Sequence, residues 1–541
     1  MIDKRFFPTR AVLLIQLLII SGLIIACGGD AGNVANNENA GEDSPPPPSP
    51  TPQPINIDLD GTAGVLAWVG EGRLPGQQSS DAPGELVLIE RNGDVTPVFT
   101  LPSGTNRIYA CGEQATSTDQ RYFALYVGTD HGSLFIADQA ETLFEIDRID
   151  ALGCIGSGAL QFSPNGERIA YIDFADNAQT DPVAQGIMYV RESNSRDTEE
   201  VLFSFDNVAA FDIADTQVAY VGIFSDYNEA ALTIWDDGDT DEVGTFFSEQ
   251  GCRFAGAQVS LMANNGVSIL LGQRCESGAG TRWAIYAGDI AGGGVTRVLN
   301  GNATGSFFSE SRTATLFASH EGEVMVYAIP NGIARNLVNL RMTTLTESDA
   351  GEDITESAVM PRLTSRLYNP EDNALPVVSP DGRWVAMVSN TVNNDVAINI
   401  FDLVNPDNPP LILNPVNRGD TISSIGYTPD SATLLFVAGG SNGDNNSLFG
   451  VSLEDGVDER LIRGRYGHVI AAATGDFAIL TEWRVLTDPR EPSYLNLITM
   501  DLNDPDTTEV LFEGAEIVND SVTNQRFIYP LAWRETFPEE E

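Results

Sequence analysis

Five cysteines and three histidines are the side chains of this 541-residue sequence best suited to covalent or metal chemistry. The histidines are His131, His320 and His468, and none of them lies near a cysteine. The sequence also contains no Cys-x-x-Cys pair, which is the spacing that many zinc sites use. We therefore predict no metal site and no other cofactor.

The residues of one acidic run are spaced like those at the start of a calcium-binding loop. This run is Asp237-Gly238-Asp239-Thr240-Asp241-Glu242. An EF-hand needs glycine at the sixth position and glutamate at the twelfth, where this sequence has Glu242 and Ser248. We predict a solvated turn between the third and fourth strands of a repeat, with calcium binding as the open alternative.

The N-terminus supplies the clearest covalent chemistry. Lys4, Arg5 and Arg10 precede a roughly fifteen-residue apolar run, which is shorter than the ~20 residues that span a bilayer and is typical of a signal peptide. The run ends in Ile24-Ile25-Ala26-Cys27-Gly28, which resembles the bacterial lipobox. That resemblance implies a signal peptide over residues 1–26 and a palmitate-type lipid on Cys27. An ordinary secretory signal with a chance cysteine is the alternative.

Residues 27–54 read as a linker. They are rich in Gly, Asn and acidic residues and then in proline, over Pro45 to Pro54. Such a segment cannot bury apolar surface, and its proline half favours extended polyproline II. We predict a disordered spacer that holds the body, residues 55–541, away from a membrane.

Charge limits the partners of that body. The net charge of −48 argues against nucleic acid and against an anionic lipid surface. Solubility is the simpler explanation of such acidity, and a basic partner is the alternative.

The body is an internal repeat. Short apolar runs centred on nine positions recur at intervals of roughly 43 to 70 residues, which is the spacing of propellers and solenoids. The centres are Ala67, Ala124, Ala170, Ala219, Ile269, Leu316, Ala386, Leu435 and Ala478. Each run is short, bounded by Gly and Asp and rich in Val, Ile, Phe and Tyr, as strands are.

Three modules contain the turn that opens a repeat, at Ser163-Pro164-Asn165-Gly166, Ser379-Pro380-Asp381-Gly382 and Thr428-Pro429-Asp430. Proline at the second position and Asn or Asp at the third favour a type I turn. Phe162 to Ile172 and Val377 to Val388 resemble the TolB-type, WD-like β-propeller repeat. The resemblance implies an all-β fold of four-stranded blades. TolB has a small α/β domain before its propeller, where this chain has a linker and lipobox.

Nine modules exceed the four to eight blades of typical propellers. We predict one ring of eight or nine blades, with two smaller rings as the alternative. The longest interval is attributed to a long acidic loop over 341–376, which either contacts a partner or is disordered. The segment Phe527 to Trp533 is expected to supply the inner strand of the first blade and close the ring.

The cysteines of the body favour disulfides, since the chain is predicted to leave the cytoplasm. Cys252 lies shortly before the first strand of a module and Cys275 follows the second strand of the same module, so they are expected to bond. Cys111 and Cys154 hold corresponding positions in neighbouring modules and form the other expected pair. Free thiols are the alternative.

No catalytic constellation is found, and we expect the chain not to be an enzyme. TolB-like propellers also occur beside serine-peptidase domains, but no Gly-x-Ser-x-Gly elbow is present and Gly156-Ser157-Gly158 reads as a loop. The histidines belong to the second, sixth and ninth modules, too far apart to share a metal.

We predict a binding scaffold, lipid-anchored on the extracytoplasmic side of a bacterial cell or outer membrane, with an unknown envelope protein or glycan as partner. An enzyme acting on extracellular polysaccharide is the alternative.

Overall fold

The body is built from β-strands. The computed structural model describes residues 56–58, 64–71, 85–100, 108–109, 117, 121–128, 132–138, 142–149, 160–174, 185–196, 200–224, 226–262, 266–275, 281–290, 294–303, 316–318, 324–330, 338–344, 352–353, 358–359, 377–391, 396–405, 407–413, 420–440, 446–456, 458–464, 466–471, 476–484, 494–514, 516–518, 521–523 and 526–534. Within these ranges the regular elements are strands and no helix occurs. Accordingly, no helix among the described residues could cross a membrane.

The first nineteen strands cover the chain as far as residue 303. They are Asn56–Asp58 (β1), Gly64–Glu71 (β2), Glu85–Glu90 (β3), Val95–Thr100 (β4), Ile108–Tyr109 (β5), Tyr122–Gly128 (β6), Gly132–Asp138 (β7), Thr142–Ile149 (β8), Leu160–Phe162 (β9), Arg168–Phe174 (β10), Gly186–Glu192 (β11), Phe203–Ile213 (β12), Gln217–Phe224 (β13), Glu229–Asp236 (β14), Asp239–Phe247 (β15), Cys252–Met262 (β16), Gly266–Cys275 (β17), Thr281–Asp289 (β18) and Gly294–Ala303 (β19).

The remaining strands follow the same up-and-down course. They are Leu316–Ala318 (β20), Val324–Pro330 (β21), Val338–Thr344 (β22), Glu352–Asp353 (β23), Ala358–Val359 (β24), Val377–Val378 (β25), Trp384–Thr391 (β26), Val396–Asp402 (β27), Leu411–Leu413 (β28), Asp420–Tyr427 (β29), Thr433–Gly440 (β30), Ser447–Ser452 (β31), Asp458–Arg463 (β32), Tyr466–Ala471 (β33), Phe477–Arg484 (β34), Tyr494–Asp501 (β35), Thr508–Glu513 (β36), Glu516–Val518 (β37), Ser521–Thr523 (β38) and Arg526–Arg534 (β39).

Antiparallel sheets of four strands are the recurring unit. β16 to β19, β29 to β32 and β33 to β36 each form one, with every strand paired to the next along the chain. The second strand of a unit is apolar along its length, as in β13, where Val218 to Ile223 are all buried. Strands that are covered on both faces need such continuous apolar runs, which explains why these segments were visible in the sequence.

The sheets pack face to face. One core cluster joins Val221 and Leu232 of one sheet to Leu261 and Ile269 of the next. Other clusters join β26 and β27 to β29 and β30, and β30 and β31 to β33 and β34. Consecutive four-stranded meanders that share cores in this way form a propeller-like, all-β fold.

The chain closes on itself as predicted from the sequence. β39 is the first strand of a sheet that continues with β2, β3 and β4. Its pairing with β2 extends from Gly64 opposite Arg534 to Glu71 opposite Arg526. Buried Ile528 joins Val65, Val87 and residues of β34 and β35 in one core cluster. The C-terminal segment therefore supplies the inner strand of the first module.

A single long strand links two neighbouring units. The first half of β12, Phe203 to Val208, pairs with β11, and its second half, Val208 to Ile213, pairs with β13. The outcome is a seven-stranded sheet, β9 to β15. Asn207 marks the change of partner with a φ of 62°, a left-handed conformation that asparagine tolerates better than most residues.

The segment 341–376 is not a loop throughout, contrary to the sequence-based expectation. Its first four residues complete β22, because the ladder with β21 continues to Thr344 opposite Val324. β23 and β24 also pair with β22, and β24 pairs with β26. The polar composition concealed these contacts because strands of only two residues are held by backbone bonds and need few apolar side chains.

The Ser-Pro-Asp/Asn-Gly turns share one hydrogen-bond network. In each, the amide of the fourth residue donates to the carbonyl of the first at 2.8 Å, as in Gly166 to Ser163. The hydroxyl of the first residue accepts a second amide, that of Arg168, Trp384 or Thr433, at 2.8 to 3.0 Å. Ser117 accepts the Tyr122 amide in the same way at 2.8 Å, so the bond from amide to hydroxyl recurs beside a segment whose sequence lacks the proline.

These turns also contact the turn of the following unit. The Asn165 amide donates to the Asp215 carboxylate at 2.9 Å, and the Asp381 amide donates to the Ser431 hydroxyl at 3.0 Å. The third turn residue thus links neighbouring units in both cases.

Candidate functional site

An aromatic groove lies where β12 changes partner. It is lined by Ser204, Phe205, Asp206 and Asn207 of β12 and by Phe224 at the end of β13, and it is open to solvent, with a volume of about 360 Å³. That volume falls within the range of small-ligand sites, ~300 to 1,000 Å³. We call these five residues the aromatic groove.

The groove exists because of an irregularity in the ladder. Gly186 pairs with Val208 and Met188 with Phe205, so Asp206 and Asn207 stand in a bulge opposite one residue of β11. Bulges bend a strand and redirect its side chains, and they occur often beside binding sites. The side chains of both residues are exposed.

The aromatic wall is fixed by packing from behind. The Phe205 ring lies 4.8 Å from the Tyr220 ring and meets Phe224 edge-on at 6.5 Å, measured between centroids. Burial raises the pKa of Tyr220 to about 12, which keeps its phenol neutral at physiological pH. Phe203 continues the wall and stacks on Trp235 at 5.3 Å. The half-buried rings of Phe203, Phe205 and Phe224 are therefore held by buried ones.

Gly222 makes room for Phe224. A Cβ atom at this glycine would overlap the Phe224 ring, which folds back over the strand. Glycine in a strand interior often marks such a close approach. The position of the Phe224 ring, and with it one wall of the groove, depends on the absence of a side chain at residue 222.

Two of the expected site cysteines are joined. Cys252 and Cys275 lie opposite each other at the start of β16 and the end of β17 and form a disulfide within one sheet. Cys27, Cys111 and Cys154 lie outside the described residues, so their lipidation and pairing stay predictions.

The two possible metal sites from the sequence were the acidic run that begins at Asp237 and the three histidines. Asp237 and Gly238 form the tight turn between β14 and β15, with positive φ at both, which confirms the expected turn between a third and fourth strand. Asp237 accepts a 2.9 Å hydrogen bond from Arg168. His131 and His320 lie outside the described residues, and His468 lies within β33. Among the described residues, no group of three or more His, Cys, Asp or Glu is arranged to hold a metal.

A buried polar cluster joins β8 to β10 and β11. The Tyr171 hydroxyl donates to the Asp147 carboxylate and accepts a 2.7 Å hydrogen bond from Arg191 Nε. Burial raises the pKa of Tyr171 well above its usual value, and the negative charge of Asp147 raises it further. The three residues come from strands far apart in sequence, so no local pattern could have revealed the cluster.

Comparisons with known proteins bear on the fold. No protein-family model and no curated protein matches the chain. A eukaryotic initiation factor is similar in structure, with 12% identity and a TM-score of 0.43 over 86% of this chain and 99% of that one. The β-propeller domain of the Trilobed protease from Pyrococcus furiosus has 11% identity and a TM-score of 0.36 over 63% and 94%. Prolyl oligopeptidase B from Galerina marginata has 12% identity and a TM-score of 0.36 over 75% of this chain and 51% of that protein.

One expectation from the sequence is corrected by these structures. We expected the chain not to be an enzyme, yet the similar structures include a protease propeller and prolyl oligopeptidases. A propeller body therefore does not exclude an enzyme, and the expectation is wrong as an exclusion. Likeness of fold at this level assigns no reaction to the chain.

Proposed function

We propose that this chain is a lipid-anchored, TolB-like β-propeller of the bacterial cell envelope that binds an uncharged glycan in the aromatic groove. The groove is the observation that carries the binding role. The lipobox at Cys27 and the proline-rich linker support the anchored location.

A single ring of nine blades is the architecture that we propose. Five of the sheets correspond to one blade each, including the one that β39 and β2 share. The two larger sheets would supply two blades each, one divided within β12 and the other between β22 and β26. The recurring Ser-Pro-Asp/Asn-Gly turn network supports the TolB-like repeat.

The chemistry of the groove favours a sugar. The ring of Phe224 or Phe205 offers a flat apolar surface to the C–H face of a pyranose. Ser204, Asp206 and Asn207 stand beside the rings and can exchange hydrogen bonds with its hydroxyls. An uncharged chain fits better than an anionic one, because the Asp206 carboxylate lines the groove and repels anions.

Binding can be tested with the full chain in detergent and uncharged chito-oligosaccharides, by calorimetric titration. Phe224→Ala should weaken binding about tenfold, since an aromatic contact contributes ~1 kcal/mol or more. Gly222→Ala, which displaces the same ring, should weaken it similarly. Phe247→Ala is the matched control, because this phenylalanine is 71% exposed on β15 and lies outside the groove.

Three outcomes are informative. Equal affinity in all variants, or no binding by the unaltered chain, would contradict the glycan proposal. Release of new reducing ends from the oligosaccharide would extend the role from binding to cleavage.

The anchor needs its own experiment. Cys27→Ser should abolish lipid attachment, so the variant should leave the detergent phase in Triton X-114 partitioning and lose the acyl mass in mass spectrometry. Retention of the acyl group in the variant would contradict the assignment of Cys27.

A further inference from the structure

Two arginines stand directly opposite each other on one face of the sheet β16 to β19. Arg253 of β16 pairs in register with Arg274 of β17, one step inward from the Cys252–Cys275 disulfide. Both are exposed. Directly opposed residues of an antiparallel pair have Cβ atoms ~5 Å apart, so the two guanidinium groups can reach the same small ligand.

This pair differs from several other arginines of the chain, which are matched to carboxylates. Examples are Arg168 with Asp237, Arg282 with Glu249 and Arg383 with Asp402. No carboxylate among the described residues pairs with Arg253 or Arg274. Like charges directly opposite destabilise a sheet, so this arrangement costs stability unless an anion neutralises it.

The neighbouring positions on the same face carry two glycines and a buried hydrogen-bond donor, the indole N–H of Trp283. Gly256 pairs with Gly272 in the next row, and Trp283 lies opposite Gly272 on β18. Trp283 is 7% exposed, and its indole N–H is buried with no acceptor among the described residues. A buried donor without an acceptor is costly, and an oxygen atom of a ligand would satisfy it.

We propose that Arg253, Arg274 and Trp283 form a binding site for an oxyanion, a phosphate or carboxylate group. Two guanidinium groups present forked N–H donors that match the oxygens of such groups, and they stay charged at all physiological pH values. The net charge of −48 does not prevent this, because charges beyond about 8 Å are largely screened at physiological ionic strength. The site is independent of the aromatic groove.

The first test measures thermal unfolding of the full chain in detergent with inorganic phosphate, against sodium chloride at equal ionic strength. Phosphate should raise the melting temperature of the unaltered chain. In calorimetric titration, Arg274→Gln and Arg253→Gln should each weaken phosphate binding at least tenfold, and Arg274→Lys should weaken it less. Arg297→Gln is the matched control, because Arg297 is exposed on β19 of the same sheet and, paired with Tyr286, points to the other face.

The second test reports on the tryptophan. Of six indole N–H resonances in the full chain, the one lost in Trp283→Phe should shift with phosphate. That shift should be absent in Arg274→Gln. Polyglycerol phosphate and polygalacturonate, tested alongside, distinguish a free ion from a phosphate or carboxylate carried on a polymer.

The proposal is overturned if phosphate stabilises the arginine variants as much as the unaltered chain, or if neither the small ion nor either polymer binds. Loss of glycan binding in the aromatic groove would leave this result unaffected, because neither arginine belongs to the groove.

Discussion

Val65 of β2 lies directly opposite Trp533 of β39, so the beginning and the end of the folded body share one antiparallel ladder. This pairing covers the edge that β2 would otherwise expose, and β39 becomes the terminal strand of the sheet. An exposed strand edge is the state that invites aggregation. It also makes the sheet of β2 to β4 depend on β39, which is distant from those strands in sequence.

The pairing of β39 with β2 predicts that a single substitution in β39 lowers the stability of the protein substantially. Ile528→Ala should lower the free energy of unfolding by about 2 to 5 kcal/mol, because this side chain is fully buried between β2, β34 and β35. Deleting residues from Phe527 onward should lower the melting temperature further. Val510→Ala is the control, since Val510 is 49% exposed on β36 and should change stability by less than ~0.5 kcal/mol. Equal melting temperatures for the two point variants would argue against closure.

The turn network predicts that the hydroxyl of the first turn residue contributes more to stability than the shape of its side chain does. Thr428→Val removes the acceptor of the Thr433 amide and the donor to Asp430, and should cost about 1 to 3 kcal/mol. Thr428→Ser keeps the hydroxyl and should cost much less. Chemical denaturation of both variants compares them, and a serine variant as unstable as the valine variant would mean that the methyl group dominates.

The repeat itself could be read from the sequence because its signal is local. Apolar second strands such as β13 and β26, and turns that begin with Ser163 or Ser379, each lie within about ten consecutive residues. The related hydrogen bond at Ser117 could not be predicted from this motif, because the sequence there has Thr118 and Gln120 in place of the proline and glycine. The structure shows that the hydroxyl, rather than the proline, is the shared element.

The aromatic groove could not be predicted in the same way. It depends on the bulge at Asp206 and Asn207 and on the change of partner along β12, and one Asp-Asn pair within a strand-like run does not identify either feature. The Tyr171 cluster is equally hidden, since Asp147 and Arg191 lie 24 and 20 residues away. Register between strands decides such sites, and a single sequence does not specify register at bulges.

The Tyr171 cluster predicts a loss of stability in alkali. The folded protein raises the pKa of this phenol above the unfolded value near 10, chiefly by burial. The stabilising contribution is therefore complete below pH ~10 and declines as the pH rises beyond it. Tyr171→Phe should be less stable at pH 8, because Arg191 loses an acceptor, and should lose less additional stability between pH 10 and 11.5. Parallel curves for the two proteins would contradict this assignment.

The ion pair between Asp402 and Arg383 predicts that the protein loses stability as the pH falls into the acid range. Burial of the Asp402 carboxyl would raise its pKa, but hydrogen bonds from Arg383 and Asn405 outweigh that effect and lower the pKa to about 2. Arg383 binds both carboxylate oxygens, at 3.1 and 2.8 Å. Because the folded pKa is depressed, the stabilisation is present above the unfolded pKa near 4 and is lost as the pH falls towards 2.

The size of that dependence follows from the shift. A change from about 4 to about 2 corresponds to roughly 2.5 kcal/mol, an upper figure because the Arg383 side chain is 41% exposed. Asp402→Asn should reduce stability at pH 6 and flatten the decline between pH 4 and pH 2, measured by urea denaturation at each pH. Asp237→Asn is the matched control: its carboxylate also pairs with an arginine but is 73% exposed, so the acid decline should keep its slope. If Asp402→Asn retained the full acid decline, the carboxylate responsible would have to lie elsewhere in the chain.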